Sequence, residues 1–192
     1  LRSVQKAFEK LGVAARITDD PQVVSESVRV VLPGVGAFGD AMRALRERGL
    51  VEPIVDHVRA EKPFFGICMG LQLLFEAGLE GGRHEGLGIL PGEVVRFDLP
   101  AGLKVPHMGW NTITVRRPNP ILEATAAEQR FYFVHSFYAV CTEPADVIAV
   151  SHHGIEFSAA IGRGNVLGAQ FHPEKSHRFG LALMRRFFEM PC

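Results

Sequence analysis

Leu1, Val4, Ala7, Phe8 and Leu11 fall on one face of a 3.6-residue repeat, so the chain opens on an amphipathic helix over 1–11 that Gly12 ends. Residues 13–17 read as a short strand. The near-continuous apolar run at 28–32 has the pattern of a parallel strand buried on both faces. Pro33-Gly34-Val35-Gly36 reads as a loop. Helices are predicted over 40–48 and 51–61, with Pro53 tolerated in a first turn. Arg43, Arg46 and Arg48 alternate with apolar residues there and mark a solvated helix face. A strand follows at 64–67, then a helix at 69–77 with Leu71, Leu74, Phe75 and Gly78 on one face. Strand alternating with helix implies a mostly parallel, doubly wound α/β sheet flanked by helices, with right-handed crossovers.

The second half changes period. Segments 93–97, 112–115, 131–140, 147–151, 156–161 and 166–171 read as strands, with tight turns at His153-Gly154 and Arg163-Gly164-Asn165. This half is predicted to form an antiparallel extension on the parallel core. An amphipathic helix over 179–188 closes the chain. A helix that opens an α/β domain normally follows a strand, so a first strand is expected to be missing ahead of Leu1.

Composition narrows the classes. The 192 residues suit one domain spanning 1–192, and 47% of them are hydrophobic, enough for a sizeable core. Lys plus Arg and Asp plus Glu are 21 each, which leaves no basic footprint for nucleic acid. Cys68, Cys141 and Cys192 are few, odd in number and far apart, forming neither a disulfide framework nor a zinc pattern. No apolar run approaches the ~20 residues of a membrane crossing. The cysteine usage fits a reducing compartment, so the expected location is the cytoplasm, and no signal peptide is expected.

The chemistry concentrates at Gly66-Ile67-Cys68-Met69-Gly70, a G-x-C-x-G elbow between a strand and a helix. Such a turn pushes the nucleophile clear of the sheet, and glycines on either side relieve crowding. A helix beginning after Cys68 aims its positive end at the sulfur and favours the thiolate. The Met69 N–H is placed to bind an oxyanion. The bland reading of Cys68 is a small buried residue. Cys141, in a strand-like run without glycines, is expected in the core, and Cys192 at a frayed end.

A cysteine nucleophile needs a held base. His172 follows the strand at 166–171, on the sheet edge where α/β sites gather. Pro173 stiffens the turn, and Glu174 can reach back to the imidazole. The alternative is that His172 only caps the next helix. The other histidines look ordinary: His57 on a polar helix, His84 in a glycine-rich loop, His152 and His153 in a turn.

Gly66-Ile-Cys-Met-Gly-Leu-Gln72 together with Gln170-Phe-His-Pro-Glu-Lys-Ser176 resembles the class I (triad) glutamine amidotransferases. Pro33-Gly34-Val35-Gly36-Ala-Phe-Gly39, Pro106-His-Met-Gly-Trp-Asn111 and Phe131-Tyr-Phe-Val-His-Ser-Phe137 resemble, within them, the glutaminase-subunit family of imidazole glycerol phosphate synthase. Phe137 stands where that family often has Tyr. The family usually begins with a strand and an Asp-Tyr-Gly-Met-Gly-Asn turn that are absent here. The resemblance implies a Cys68–His172–Glu174 triad that hydrolyses glutamine without cofactor or metal. It further implies an oxyanion hole at Val35 and Met69, with Gly34 and Gly36 letting the Val35 peptide turn, and glutamine contacts from Gln72, Ser136 and Phe137. Its implied partner is a (β/α)8 cyclase subunit that receives ammonia in a heterodimer, with Trp110, Tyr132 and Lys175 as interface candidates. Trp110 reads as lying in a loop-like segment. The competing readings are a glutaminase serving pyridoxal phosphate or anthranilate synthesis, a stand-alone cysteine hydrolase, and a non-catalytic binding module.

Overall fold

The computed structural model describes residues 1–123, 125 and 128–191; Cys192 lies outside the described residues. A six-stranded sheet forms the centre, in the order β1 (Val30–Gly34), β2 (Phe64–Cys68), β12 (Val166–Ala169), β11 (Ile155–Arg163), β10 (Val147–His153), β7 (Thr114–Val115). The first three strands are parallel and the rest antiparallel. A second sheet runs β4 (His84–Glu85), β3 (Phe75–Gly78), β5 (Leu90–Arg96), β9 (Phe137–Cys141). A ribbon of β6 (His107–Thr112) and β8 (Arg130–His135) completes the antiparallel half. The mixed α/β architecture with a C-terminal antiparallel extension is as the hydrophobic periodicity predicts.

Every residue of β2 is buried, because the strand is covered on both faces. Phe65 and Ile67 pack with Val4, Ala7 and Phe8 of α1 (Arg2–Lys10) and with Leu183, Met184 and Phe187 of the closing helix, α6 (His177–Glu189). Phe64 packs on the other side with residues of α3 (Phe38–Glu47) and α4 (Val51–Arg59). The arginines at 43, 46 and 48 are exposed, as a solvated face requires. By contrast β1, the sheet edge, is only half-buried along its length. Pro33 fits there because an edge strand has one side that needs no N–H donor.

Several expectations are corrected. Residues 13–17 join no strand and no helix. An apolar cavity of about 420 Å³, lined by them and by Val30–Pro33, lies along the β1 edge, so no ladder forms. A short helix, α2 (Pro21–Glu26), stands where no element was expected; Asp20 caps it by accepting from Gln22 N–H at 3.0 Å. The helix expected at 69–77 is only α5 (Met69–Gln72). Phe75–Gly78 instead pairs with β5 and β4, and backbone pairing with distant residues overrides its helical spacing. The run 131–140 breaks at Ser136, so that β8 and β9 enter different sheets. Trp110 is in strand β6, not a loop, and His57 is a buried residue bonded through Nε2 to Pro63 O at 3.1 Å. Cys141 is half-buried, and burial pushes its thiol up to about 11.

Candidate active site

Cys68 ends β2 with φ 54° and ψ −107°, a rare conformation for a residue with a side chain. The surroundings over-determine it. A Cβ on Gly70 would lie 1.7 Å from the Leu32 carbonyl oxygen, and one on Gly66 would lie 2.5 Å from the Gly70 oxygen. Only glycine lets β1, β2 and α5 close this tightly, so the sharp turn is enforced by packing on both sides. Since α5 has four residues, the helix dipole behind the sulfur is smaller than the expected nine-residue helix would supply.

His172 caps a 3-10 turn, Pro173–Lys175, three residues beyond the end of β12. Its backbone N–H donates to Tyr132 O at 2.8 Å. The buried Ser176 hydroxyl donates to His172 O at 2.6 Å and accepts from Tyr132 N–H at 3.0 Å, clamping the turn to β8. The turn folds Glu174 back so that Oε1 accepts from His172 Nδ1 at 2.9 Å, with both side chains about 95% removed from solvent. Nε2 is buried without a hydrogen bond of normal length among the described residues, and Cys68 is its electrostatic partner. Burial alone pulls the imidazole down. Hydrogen bonding to Cys68 and Glu174 and their negative charge outweigh it, and the pKa rises to about 9. The fold brings together the three residues that the sequence singles out.

The parallel register of β1 with β2 sets Gly34 opposite Cys68. A Cβ at Gly34 would lie 2.9 Å from the Met69 Cβ, so Gly34 and Met69 both border the nucleophile. Val35 and Gly36 turn outward instead: Val35 is 81% exposed, and Gly36 has φ +103°. Glu80, unremarked in the sequence, pins the far end of this loop by accepting from Phe38 N–H at 2.8 Å. The buried Gln72 spends its amide on the protein, donating to Phe137 O at 2.9 Å and Gln170 Oε1 at 3.0 Å. The Phe137 carbonyl also accepts from His135 Nδ1 at 2.8 Å. Ser136 sits half-buried at the break between β8 and β9, its carbonyl accepting from Phe97 N–H at 3.0 Å.

The three interface candidates form one patch. Trp110 and Tyr132 face each other across the β6–β8 ribbon at 5.7 Å between ring centroids, and Lys175 Nζ lies 5.8 Å from the Tyr132 ring. Trp110 also stacks flat on His177 at 4.9 Å, a partner the sequence did not signal, and Met108 is exposed on the same side of β6. Gln170, His135 and His107 were missed as well. The signal that existed was a polar residue interrupting the apolar run Val166-Leu-Gly-Ala-Gln170-Phe. Among the described residues no group of three or more His, Cys, Asp or Glu could hold a metal ion.

The sequence model of the family Glutamine amidotransferase class-I matches residues 2–190. An imidazole glycerol phosphate synthase subunit HisH from Syntrophotalea carbinolica is 51% identical over 195 residues, covering 99% of this chain and 95% of that protein. The HisH subunit from Rhodopirellula baltica is 52% identical over 191 residues, covering 100% and 93%. The chain belongs to the class-I glutamine amidotransferases, among the HisH subunits of imidazole glycerol phosphate synthase.

Solved structures agree on the amidotransferase fold at low identity. A structure described as a glutamine amidotransferase superposes with TM-score 0.76 at 20% identity, covering 98% of this chain and 92% of the other. The PurLQS structure from Thermotoga maritima gives TM-score 0.73 at 20% identity, covering 98% and 91%. Among the described residues of this HisH-family chain, no helix is long and apolar enough to cross a membrane.

Proposed function

We propose that the chain is one cytoplasmic glutaminase domain that hydrolyses glutamine to glutamate and ammonia. The ammonia passes to a (β/α)8 cyclase subunit that makes imidazole glycerol phosphate in histidine biosynthesis. The observation that carries this reading is the meeting of a forced G-x-C-x-G elbow with a buried His172–Glu174 pair 2.9 Å apart.

In this reading the Cys68 thiolate attacks the side-chain amide carbon of glutamine. The developing oxyanion is received by the Met69 N–H and, once the loop turns inward, the Val35 N–H. Imidazolium His172, held by Glu174 in the orientation that keeps Nε2–H toward the sulfur, protonates the departing nitrogen. The C–N bond breaks, ammonia leaves, and a γ-glutamyl thioester remains on Cys68. Neutral His172 then takes a proton from water as it attacks the thioester. Glutamate is released and the thiolate restored. Gln72, Ser136 and Phe137 flank the glutamine. The cyclase docks over Trp110, Tyr132 and Lys175, and its ligand-loaded state holds the Val35 loop in the closed orientation.

The test is glutamine hydrolysis by the chain alone and with a cyclase subunit plus its ribonucleotide ligand, in wild type and Cys68→Ala. Strong stimulation that Cys68→Ala abolishes is expected. An isolated chain as fast as the loaded complex would overturn the coupling.

A further inference from the structure

We propose that Gln170 is a positioning residue for the reacting sulfur: its amide N–H stabilises the Cys68 thiolate, and its amide oxygen locks Gln72 in the orientation that leaves the Gln72 oxygen to the substrate. Gln170 is fully buried, its Nε2 lies 3.7 Å from Cys68 Sγ, and its Oε1 accepts from Gln72 Nε2 at 3.0 Å.

The direction of these bonds is forced by a carbonyl. Phe137 O can only accept, so both groups it touches are donors: Gln72 Nε2 at 2.9 Å and His135 Nδ1 at 2.8 Å. The second N–H of Gln72 then meets Gln170, whose facing atom must be its oxygen. The Gln170 nitrogen is thereby turned to the sulfur. Flipping Gln170 would set amide nitrogen against amide nitrogen and oxygen against sulfur, losing both bonds.

The other branch supports the same polarity. With Nδ1 of His135 protonated, its Nε2 accepts from His107 Nδ1 at 3.0 Å, and His107 Nε2 accepts from Asn111 Nδ2 at 3.2 Å. Burial lowers His135 to about 3 and His107 to about 4, so both rings stay neutral near pH 7 and the chain keeps its direction.

The sulfur has reason to need this donor. The helix behind it is a single turn. Another polar neighbour, Val134 O at 4.0 Å, accepts from a thiol and repels a thiolate. The titratable groups around it are His172 and, behind that ring, Glu174; His135 interacts in turn with His172. A buried N–H aimed at a thiolate is a charge-assisted bond, and its loss shows in the ionisation of the sulfur. With both N–H groups spent, Gln72 can meet the substrate only as an acceptor, matching an ammonium or amide N–H of glutamine. That last step rests on the glutaminase reading; the sulfur contact does not.

The experiment follows iodoacetamide alkylation of Cys68 in the full chain across pH 5–9, read by mass spectrometry of the Cys68 peptide. Gln170→Met, close in volume but without hydrogen bonds, is expected to move the acid limb of the rate upward by about one pH unit. Turnover of glutamine should fall roughly tenfold, with KM changing less. Gln170→Glu, which puts a carboxylate against the sulfur, should move the limb further the same way. Gln72→Met should raise KM and, by freeing the Gln170 oxygen, move the alkylation limb in the same direction but by less than Gln170→Met. A Gln170→Met limb superimposed on wild type would overturn the proposal. If Gln170→Met does not fold, a wild-type limb in Gln170→Glu does the same. Iodoacetamide needs neither glutamine nor a partner, so failure here leaves the glutaminase reading intact, and failure of wild type to hydrolyse glutamine leaves this test standing.

Discussion

The two sides of the active site are built in opposite ways. Cys68 and His172 sit where strands and turns close on them from every direction: Gly66 and Gly70 admit no added atom, and Ser176 ties His172 to β8. Opposite them, beginning only one residue past the β1 partner of Cys68, Val35 stands 81% exposed with a glycine at φ +103° beside it. The proposed nucleophile and base are preorganised, while Val35, the proposed second oxyanion donor, is held among the described residues by little besides the Glu80 cap on Phe38. Rigid geometry suits groups that must react without rearranging, and a loosely held donor suits a step that awaits a signal.

Substitutions can break this contrast at several strengths. The largest effect falls on Cys68→Ala, which should lower glutamine hydrolysis at least roughly a thousandfold, measured as glutamate release. Gly70→Ala comes next: the added methyl meets the Leu32 carbonyl at 1.7 Å, so β1 and α5 must part, and urea unfolding should report a loss of about 3 kcal/mol or more. Gly36→Ala tests the loose side. Its φ of +103° disfavours a side chain, so the loop should settle elsewhere and partner-stimulated hydrolysis should drop about tenfold while the unfolding midpoint barely moves. An equal loss in midpoint would make the loop as structural as the elbow.

Smaller effects sharpen the same contrast. The His172 pKa is raised from 6.5 to about 9 in the folded chain, so its protonated form contributes stability fully below pH 6.5, and that contribution is lost as pH rises through about 9. The stability gap between wild type and His172→Asn should be widest near pH 6 and close by pH 9.5, read from thermal melts across that range. A gap independent of pH would mean that the Glu174 and Cys68 partners do not hold the imidazolium. At the bottom of the scale, Val35→Ala should change stability by less than about 0.5 kcal/mol and hydrolysis by less than about twofold, since the proposed role of Val35 uses only its backbone N–H.

How much of this was legible in the chain varied with the range of the interactions. The α1, α3, α4 and α6 helices were visible because their apolar faces are written in local periodicity. Residues 69–77 misled because Leu71, Leu74, Phe75 and Gly78 satisfy a helical repeat, yet Phe75–Gly78 is claimed by β5 and β4. Segment 13–17 misled in the other direction, having strand-like residues but no neighbour to pair with. The proposed triad stood out in the sequence because each member stands in a short motif whose turn geometry is local. Glu80 and Gln170 were not, since neither motif nor spacing tells which distant N–H or sulfur a buried polar side chain meets.

From its sequence alone the chain determined an α/β order, a strained cysteine elbow, and a histidine and glutamate two residues apart on a stiff turn, because those depend on φ/ψ preferences and on neighbours a few residues away. Tertiary structure alone decided that the elbow and the turn meet, that Val35 faces outward while Met69 lines the nucleophile, and that a chain of amides and imidazoles runs from Asn111 to Cys68. Hydrogen-bond direction and burial belong to groups far apart in sequence, and only the folded packing brings their donors and acceptors within reach.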